Sequence, residues 1–448
     1  MIYYIDPFGC AKNQVDAENM MALLDKAGWT AAEDPAKADL IIVNSCGFIE
    51  SAKQESINAV LSWRKFYPDK KILLSGCLAQ RYRKELSVHL PEADGIFGIE
   101  NLAGITRAAA LAVKTSPPES VADSAFTTTG KRPLLSLPGS AYVKISEGCD
   151  NCCSFCAIPL IRGKLKSRSI NDIVEECKTF LERGIKELCL IGQDTGSYGL
   201  DLNPPSTQNQ DHAGGLPDLL RTLSHLSGSF RVRLLYIHPD HFPLPILDIM
   251  EEDKRFLPYF DIPFQHASEK ILKAMNRRSS ASDYLNLIKK IRSRLQDAVI
   301  RSTFMTGFPG ETEEDFALLL DFQKKAALDW LGCFAYSHEE NTKAFEMKHR
   351  VAKKIAADRK RIVEEEQIPI TEKRMDRFIG RTFEVLVEEK FTVTNPGDDV
   401  LYLGRLPCQA PEVDGATVIQ SRLPLETGTQ VPCKIIARRG FDLEARPL

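Results

Sequence analysis

No apolar run in this 448-residue sequence approaches the roughly 20 residues that a bilayer-spanning helix needs. The first residues, Met1-Ile2-Tyr3-Tyr4-Ile5-Asp6-Pro7, lack the basic start and apolar stretch of a secretory leader. A cytoplasmic protein with no membrane partner is therefore expected. An excess of either charge is lacking too, since 58 Lys and Arg face 61 Asp and Glu, a formal net charge of -3. A chain that binds a polyanion along its whole length would be strongly basic. There is no internal repeat. Apolar residues at 43% and charged residues at 27% are those of an ordinary globular chain. The length suggests about three domains.

Cysteine, by contrast, is plentiful, with 12 in the chain. Thiols stay reduced in the cytoplasm, which removes a disulfide framework as the explanation. Metal binding or redox chemistry is the leading reading.

The patterning divides the chain into five stretches. Residues 1–112 alternate short apolar runs with helical patterns, as in a small α/β domain with a parallel sheet. Three runs, Met1–Ile5, Asp39–Asn44 and Lys71–Ser75, each lead at once into a turn carrying a cysteine: Cys10, Cys46 and Cys77. Residues 113–140, rich in Pro, Ser, Thr and Gly, read as a linker. Residues 141–350 hold six strand candidates: Ala141–Ser146, Glu187–Gly192, Arg231–Ile237, Tyr259–Phe264, Val299–Thr306 and Trp330–Tyr336. Helical patterns separate them, so an open or partial barrel of parallel strands is expected, with its chemistry at the carboxyl ends. The insertion 203–210 reads as a mobile loop. A charged helical connector at 351–378 leads to residues 379–448. There the short runs Thr382–Val387, Val400–Leu403, Val418–Ser421 and Lys434–Ala437 predict a small β-barrel. The fold class is α/β with this all-β barrel at the C-terminus.

The sharpest motif is Cys149-Asp150-Asn151-Cys152-Cys153-Ser154-Phe155-Cys156. Cys149, Cys153 and Cys156 make a C-x-x-x-C-x-x-C set on a loop after the first strand of the central block. Thiolates at this density suit zinc or an iron–sulfur cluster. Zinc usually shows paired C-x-x-C units with a distant partner pair, or His partners, and neither is evident near this loop. Three thiolates can hold three irons of a 4Fe–4S cube and leave the fourth open. Cys10, Cys46 and Cys77 are distant in sequence, but strands of one parallel sheet would bring them to one edge. Unrelated strand-end cysteines are the competing reading on spacing alone.

A C-x-x-x-C-x-φ-C loop opening a βα barrel resembles the radical S-adenosylmethionine (SAM) enzymes. Gly9-Cys10-Ala11-Lys12-Asn13-Gln14, Asn44-Ser45-Cys46-Gly47-Phe48-Ile49 and Ser75-Gly76-Cys77-Leu78-Ala79-Gln80 resemble the N-terminal domain of the methylthiotransferases within that family. The resemblance spans essentially the whole chain, the terminal β block matching the family's TRAM domain in position and size. It implies two 4Fe–4S clusters, one on Cys149, Cys153 and Cys156 that cleaves SAM, and one on Cys10, Cys46 and Cys77 that carries sulfur. It places Gly192 and Gln193, at the end of the second barrel strand, against the methionine part of SAM, and Gly307 and Gly310, after the fifth, near the adenosine. Phe155, just before the third cysteine, belongs with these cofactor-binding positions. The bland alternatives are a capped turn at Gln193-Asp194 and a tight turn feeding a helix capped by Thr312. Arg162 and Arg168 could hold a carboxylate or stand in solvent, and His238 and His266 could line the substrate cavity or be satisfied core residues.

Two departures stand out. Asp6-Pro7-Phe8 precedes the first motif where a shorter run is usual, and Cys152 is an extra thiol, read as a spectator. Cys177, Cys189, Cys333, Cys408 and Cys433 have no ligand spacing and read as small apolar residues.

Within the family, Gln193-Asp194-Thr195-Gly196-Ser197-Tyr198-Gly199, Leu235-Tyr236-Ile237-His238-Pro239 and the Tyr259–Ser268 stretch look like the branch that modifies an aspartate β-carbon of small-subunit ribosomal protein number twelve. The other branch modifies a tRNA adenosine. Residues 379–448 carry eight Lys and Arg against ten Asp and Glu. A tRNA-docking barrel should lean basic, whereas a mildly acidic one suits a basic ribosomal protein. Glu388 and Glu389 are candidate capture residues on it. An electron donor such as a flavodoxin or ferredoxin system is an implied partner. A non-catalytic iron–sulfur or zinc protein that binds RNA and an enzyme that inserts sulfur without the methyl group are the remaining alternatives.

Overall fold

The computed structural model describes residues 1–116, 130–202, 215–391 and 399–448. Part of the linker and the insertion at 203–210 lie outside the described residues. The chain packs as two compact units. One comprises 1–135, 146–168 and 337–345, the other 136–145, 169–336 and 346–448. These limits cut across the sequence-read boundaries, because the loop with Cys149 packs in the unit of the N-terminal sheet.

In the first unit, β1 (Ile2–Pro7), β2 (Thr30–Ala31), β3 (Leu40–Ser45), β4 (Lys71–Gly76) and β5 (Gly95–Phe97) form a parallel sheet in the order β2-β1-β3-β4-β5. The expected runs supply its centre. Leu40-Ile41-Ile42-Val43 is wholly buried, as a central strand covered on both faces must be. Its residues alternate between two cores. Leu40 and Ile42 join Tyr3, Ile5 and Leu73 beneath the helix Ala11–Lys26, while Ile41 and Val43 join Ile72, Leu74 and Val60 of the helix Glu50–Phe66. Each such side chain contributes about 2 kcal/mol by leaving water. The edge strands β2 and β5 escaped the sequence reading, being only two and three residues long with no buried face.

The second unit begins its sheet with β6 (Ser140–Lys144). The chain then passes through a short antiparallel pair in the first unit, β7 (Ser146–Glu147) with β8 (Lys166–Ser167). It returns as β9 (Glu187–Ile191), β10 (Arg231–Leu234), β11 (Phe256–Asp261), β12 (Val299–Thr306) and β13 (Trp330–Ala335). The order β6-β9-β10-β11-β12-β13 is sequential and parallel throughout, and the sheet is open, as expected of a partial barrel. A helix, Lys353–Asp376, covers β12 and β13.

The C-terminal residues close a barrel from β14 (Thr382–Lys390), β15 (Val400–Arg405), β16 (Thr417–Ser421), β17 (Gln430–Arg439) and β18 (Asp442–Pro447). β18 was not read from sequence because only Leu443 and Ala445 of it face inward. The barrel sits on the amino ends of the sheet. Arg405 donates to Glu187 (2.8 Å) and to Ser140 Oγ (2.9 Å), the first residues of β9 and β6. Trp330, the first residue of β13, donates to the Cys408 carbonyl at 3.0 Å. Among the described residues no helix is long and apolar enough to cross a membrane.

Candidate functional site

Cys10, Cys46 and Cys77 stand just past β1, β3 and β4, three adjacent strands, so their loops share the carboxyl edge of the N-terminal sheet. Two glycines let these loops close on one another. Gly9 has φ +91°, and a Cβ there would lie 3.3 Å from Cys46 Sγ. A Cβ on Gly47 would lie 2.7 Å from the Leu78 nitrogen and 2.8 Å from the Cys77 carbonyl carbon, a contact real side chains do not make. Asn13 ties the same loops, its side-chain amide donating to the carbonyls of Phe8 (2.6 Å), Asn44 (3.1 Å) and Ser45 (3.2 Å).

The three thiols have different environments. Crowding by protein works against ionising Cys10, but Lys12, Arg162 and the backbone N–H groups of Asn13 and Lys12 outweigh it and hold the thiol below its ordinary value. Burial pushes Cys46 up, and Cys77 up to about 12 against the opposing pull of Arg162. A bound metal removes such protons outright, so burial of these thiols does not prevent them from serving as ligands.

The Cys149–Cys156 loop packs in this same unit. β7 and β8 pin its base, and Cys149 N–H donates to the Gly163 carbonyl at 3.1 Å. Cys149, Cys153 and Cys156 are partly exposed, while Cys152 is exposed with φ +53°. Phe155 is half-buried and Ser154 buried, the latter's carbonyl accepting from Ala344 N–H at 2.8 Å. The short helix that follows, Ile158–Arg162, lays Ala157 and Ile161 against Cys77. Arg162 is neither solvated nor free for a cofactor carboxylate. It is buried and donates to Asp16 (2.9 Å), Glu147 (2.8 Å) and Cys77 Sγ (3.2 Å). Among the described residues, no three His, Cys, Asp or Glu side chains converge as ligands of one metal ion would. Thiolates of a 4Fe–4S cube bind separate irons and need no such convergence.

In the second unit, the carboxyl ends of the strands carry the other candidates. The side-chain nitrogen of Gln193, just past β9, is buried with no hydrogen-bond partner. An orphaned buried donor at a strand's carboxyl end fits a ligand that supplies the missing acceptor. Asp194 beside it is a tie, accepting from Gly196 N–H and His238 N–H, both at 3.0 Å, and from Ser197 Oγ at 2.5 Å. Burial, with the charge of Arg277, pulls His238 down to about 3, and burial pulls His266 down to about 4. Both are neutral at pH 7. His266 Nδ1 accepts from Ser268 N–H, leaving Nε2 as the protonated nitrogen, 3.9 Å from Glu311. Gly307, at φ +74°, has a packing reason to be glycine, since a Cβ would strike Ala356 of the covering helix. Glu311 closes that turn on the N–H groups of Gly307 and Phe308, and Thr312 caps the next helix. Gly310 has open space around its Cα and φ +85°.

Comparison with known proteins decides the family. Models of the uncharacterized protein family UPF0004, the Radical SAM superfamily and the TRAM domain match residues 2–98, 143–322 and 379–448. The ribosomal protein uS12 methylthiotransferase RimO of Treponema denticola is 48% identical, covering 98% of this chain and 99% of its own. RimO of Syntrophomonas wolfei is 41% identical over 97% of each chain, and RimO of Clostridioides difficile 38% over 98% and 97%. The chain belongs to the RimO family. As a RimO-family member it is a radical SAM methylthiotransferase, and a 4Fe–4S cluster and SAM come with that superfamily. The methyltransferase TsrM of Kitasatospora setae, solved with cobalamin and a 4Fe–4S cluster, shares the fold at TM-score 0.53 and 14% identity, covering 75% of this chain and 74% of that one.

Sequence reasoning missed Arg162 as a partner of Cys77, since nothing in its position announces burial. It also missed Glu339, which accepts from Arg81 (2.6 Å) and Lys53 (3.1 Å) and so holds the 337–345 segment in the first unit of this RimO-family chain. Only tertiary contact reveals either.

Proposed function

We propose that this RimO-family chain replaces a hydrogen on the β-carbon of an aspartate in ribosomal protein uS12 by a methylthio group, with SAM as radical source and methyl donor. The observation that carries the reading is the packing of two three-cysteine sets into one compact unit of a chain 48% identical to a RimO over 98% of its length. Cys149, Cys153 and Cys156 would hold the superfamily's cluster, and Cys10, Cys46 and Cys77 a second one that carries sulfur. When bound, these groups supply reductive cleavage of the SAM sulfonium and a transferable sulfur. Gln193, with its unpaired amide nitrogen, positions the methionine end of SAM, and Phe155, Gly192, Gly307 and Gly310 complete the cofactor site. An unactivated C–H bond needs no acid–base pair, and His238 and His266, both neutral, carry no charge into the region. Residues 1–112, 141–350 and 379–448 divide into sulfur carriage, radical generation and substrate docking. A flavodoxin or ferredoxin system supplies electrons, and the cytoplasm, where ribosomal proteins meet such donors, is the setting.

The test is anaerobic reconstitution of the full chain followed by incubation with uS12 or its target-loop peptide. A mass gain of one methylthio group in place of hydrogen is expected, with anticodon-loop adenosines unchanged. Modified tRNA with untouched uS12 would overturn the substrate assignment. A Cys10, Cys46 and Cys77 triple-Ala variant should still cleave SAM yet form no methylthio product.

A further inference from the structure

Arg162 is buried to 9% exposure, and its side chain to 1%, in the helix that follows the Cys149–Cys156 loop. A guanidinium cannot shed its charge inside a protein, so it must be surrounded by anions or acceptors. The first unit surrounds it with three. Nη1 meets Glu147 at 2.8 Å, and Nη2 meets both Asp16 at 2.9 Å and Cys77 Sγ at 3.2 Å. Asp16 is itself buried, on the helix that begins just after Cys10. Ala157 and Ile161 pack against Cys77, so the backbone that carries Arg162 is fixed relative to that sulfur. The Arg162 charge is also felt at Cys10 and Cys46.

We propose that Arg162 is a positioning residue for the N-terminal cluster, one that donates an N–H···S hydrogen bond to the Cys77 thiolate and sets the reduction potential of the cluster on Cys10, Cys46 and Cys77. This rests on the reading that those cysteines hold a cluster. The physics is that of any thiolate-ligated cluster. Added positive charge and hydrogen bonds to sulfur stabilise the more negative, reduced state and raise the potential. Asp16, on the same guanidinium nitrogen, offsets part of that charge. Arg162 and Asp16 therefore act in opposite directions on one property. Because Arg162 belongs to the segment of the other cysteine loop, it gives the chain a way to tune the sulfur-carrying site from the radical-generating side.

The experiment uses the full chain with Cys149, Cys153 and Cys156 replaced by Ala, so that only the N-terminal cluster remains. Iron analysis of this parent should give about four irons per chain, and no iron would overturn the cluster reading and the inference with it. With iron present, potentiometric titration followed by electron paramagnetic resonance reads the midpoint. Arg162→Gln should favour the oxidised state about tenfold, which is about 59 mV more negative for a one-electron couple. Asp16→Asn should move the midpoint the opposite way, and it keeps the test alive if Arg162→Gln fails to fold. Arg162→Lys, which keeps the charge, should return most of the loss. An iron-loaded Arg162→Gln or Asp16→Asn variant with the parent's midpoint would overturn the assignment of Arg162 while leaving the cluster reading intact.

Discussion

Replacing Glu187 by Gln tests what holds the C-terminal barrel to the sheet. Glu187 is fully buried at the start of β9 and meets Arg231, Arg233 (3.0 Å) and Arg405 (2.8 Å). Burial alone would raise its carboxyl pKa, but the three arginines hold it well below the usual range. Glu388 pairs with Arg405 at 2.7 Å and is the second anion of the group. Three guanidiniums thus face two carboxylates, every one of these side chains at most 5% exposed. Glu187→Gln keeps the shape and removes the central charge, leaving three buried cations against one anion. Breaking a buried pair in this way costs about 3–5 kcal/mol. At an m-value of about 2–3 kcal/mol per molar, the urea midpoint should fall by about 1–2.5 M. Trp330, bonded to the barrel at Cys408, reports the transition once Trp29 and Trp63 of the first unit are changed to Phe. Adding Arg233→Met to Glu187→Gln removes one surplus cation and should recover part of the loss. A midpoint change below about 0.5 M in the single variant, or no recovery in the double, would refute the reasoning.

Burial lifts the Asp414 carboxyl to about 6 despite Arg301 and the hydrogen bonds from Ala410 N–H and Tyr259 OH. The folded chain then binds that proton more tightly than the unfolded one, so this group adds stability as pH falls from about 6 toward 4. Asp414→Asn should be more stable than the parent by roughly 3 kcal/mol at pH 7 and equal to it near pH 4, and equal differences at both pH values in urea titrations would contradict this. Gly307→Ala should cost about 1–3 kcal/mol through its left-handed backbone and the contact with Ala356, and more than Gly310→Ala in a melting comparison. If Gly310→Ala instead abolishes SAM cleavage with unchanged stability, Gly310 is a point of ligand approach. Glu388, offered by sequence as a capture residue, is buried against Arg405, so Glu388→Lys should unfold the barrel. Exposed Glu389 is the proper probe, and Glu389→Lys should slow uS12 association with a strong salt dependence; identical association rates would remove the barrel from substrate capture.

The fold class and the six strands of the central sheet were legible from short strand patterns, a continuous apolar run such as Leu40–Val43 in the N-terminal sheet and an alternating one such as Val299–Thr306 in the central sheet. Strands β2, β5 and β18 were not, since very short edge strands and a half-polar barrel strand carry no clear periodic signal. The gathering of Cys10, Cys46 and Cys77 at one sheet edge was legible from the turns after three strands of one parallel sheet. What neither spacing nor composition could give was which side chains the fold would bury as charges. Arg162 against Cys77, Glu187 among three arginines, and Glu388 turned inward are long-range pairings, 85 residues apart in the first case and 218 between Glu187 and Arg405. Local sequence decides helix, strand and ligand type, because those depend on neighbours along the chain. The environment of a charge depends on what the folded chain brings against it, and only the tertiary structure decides that.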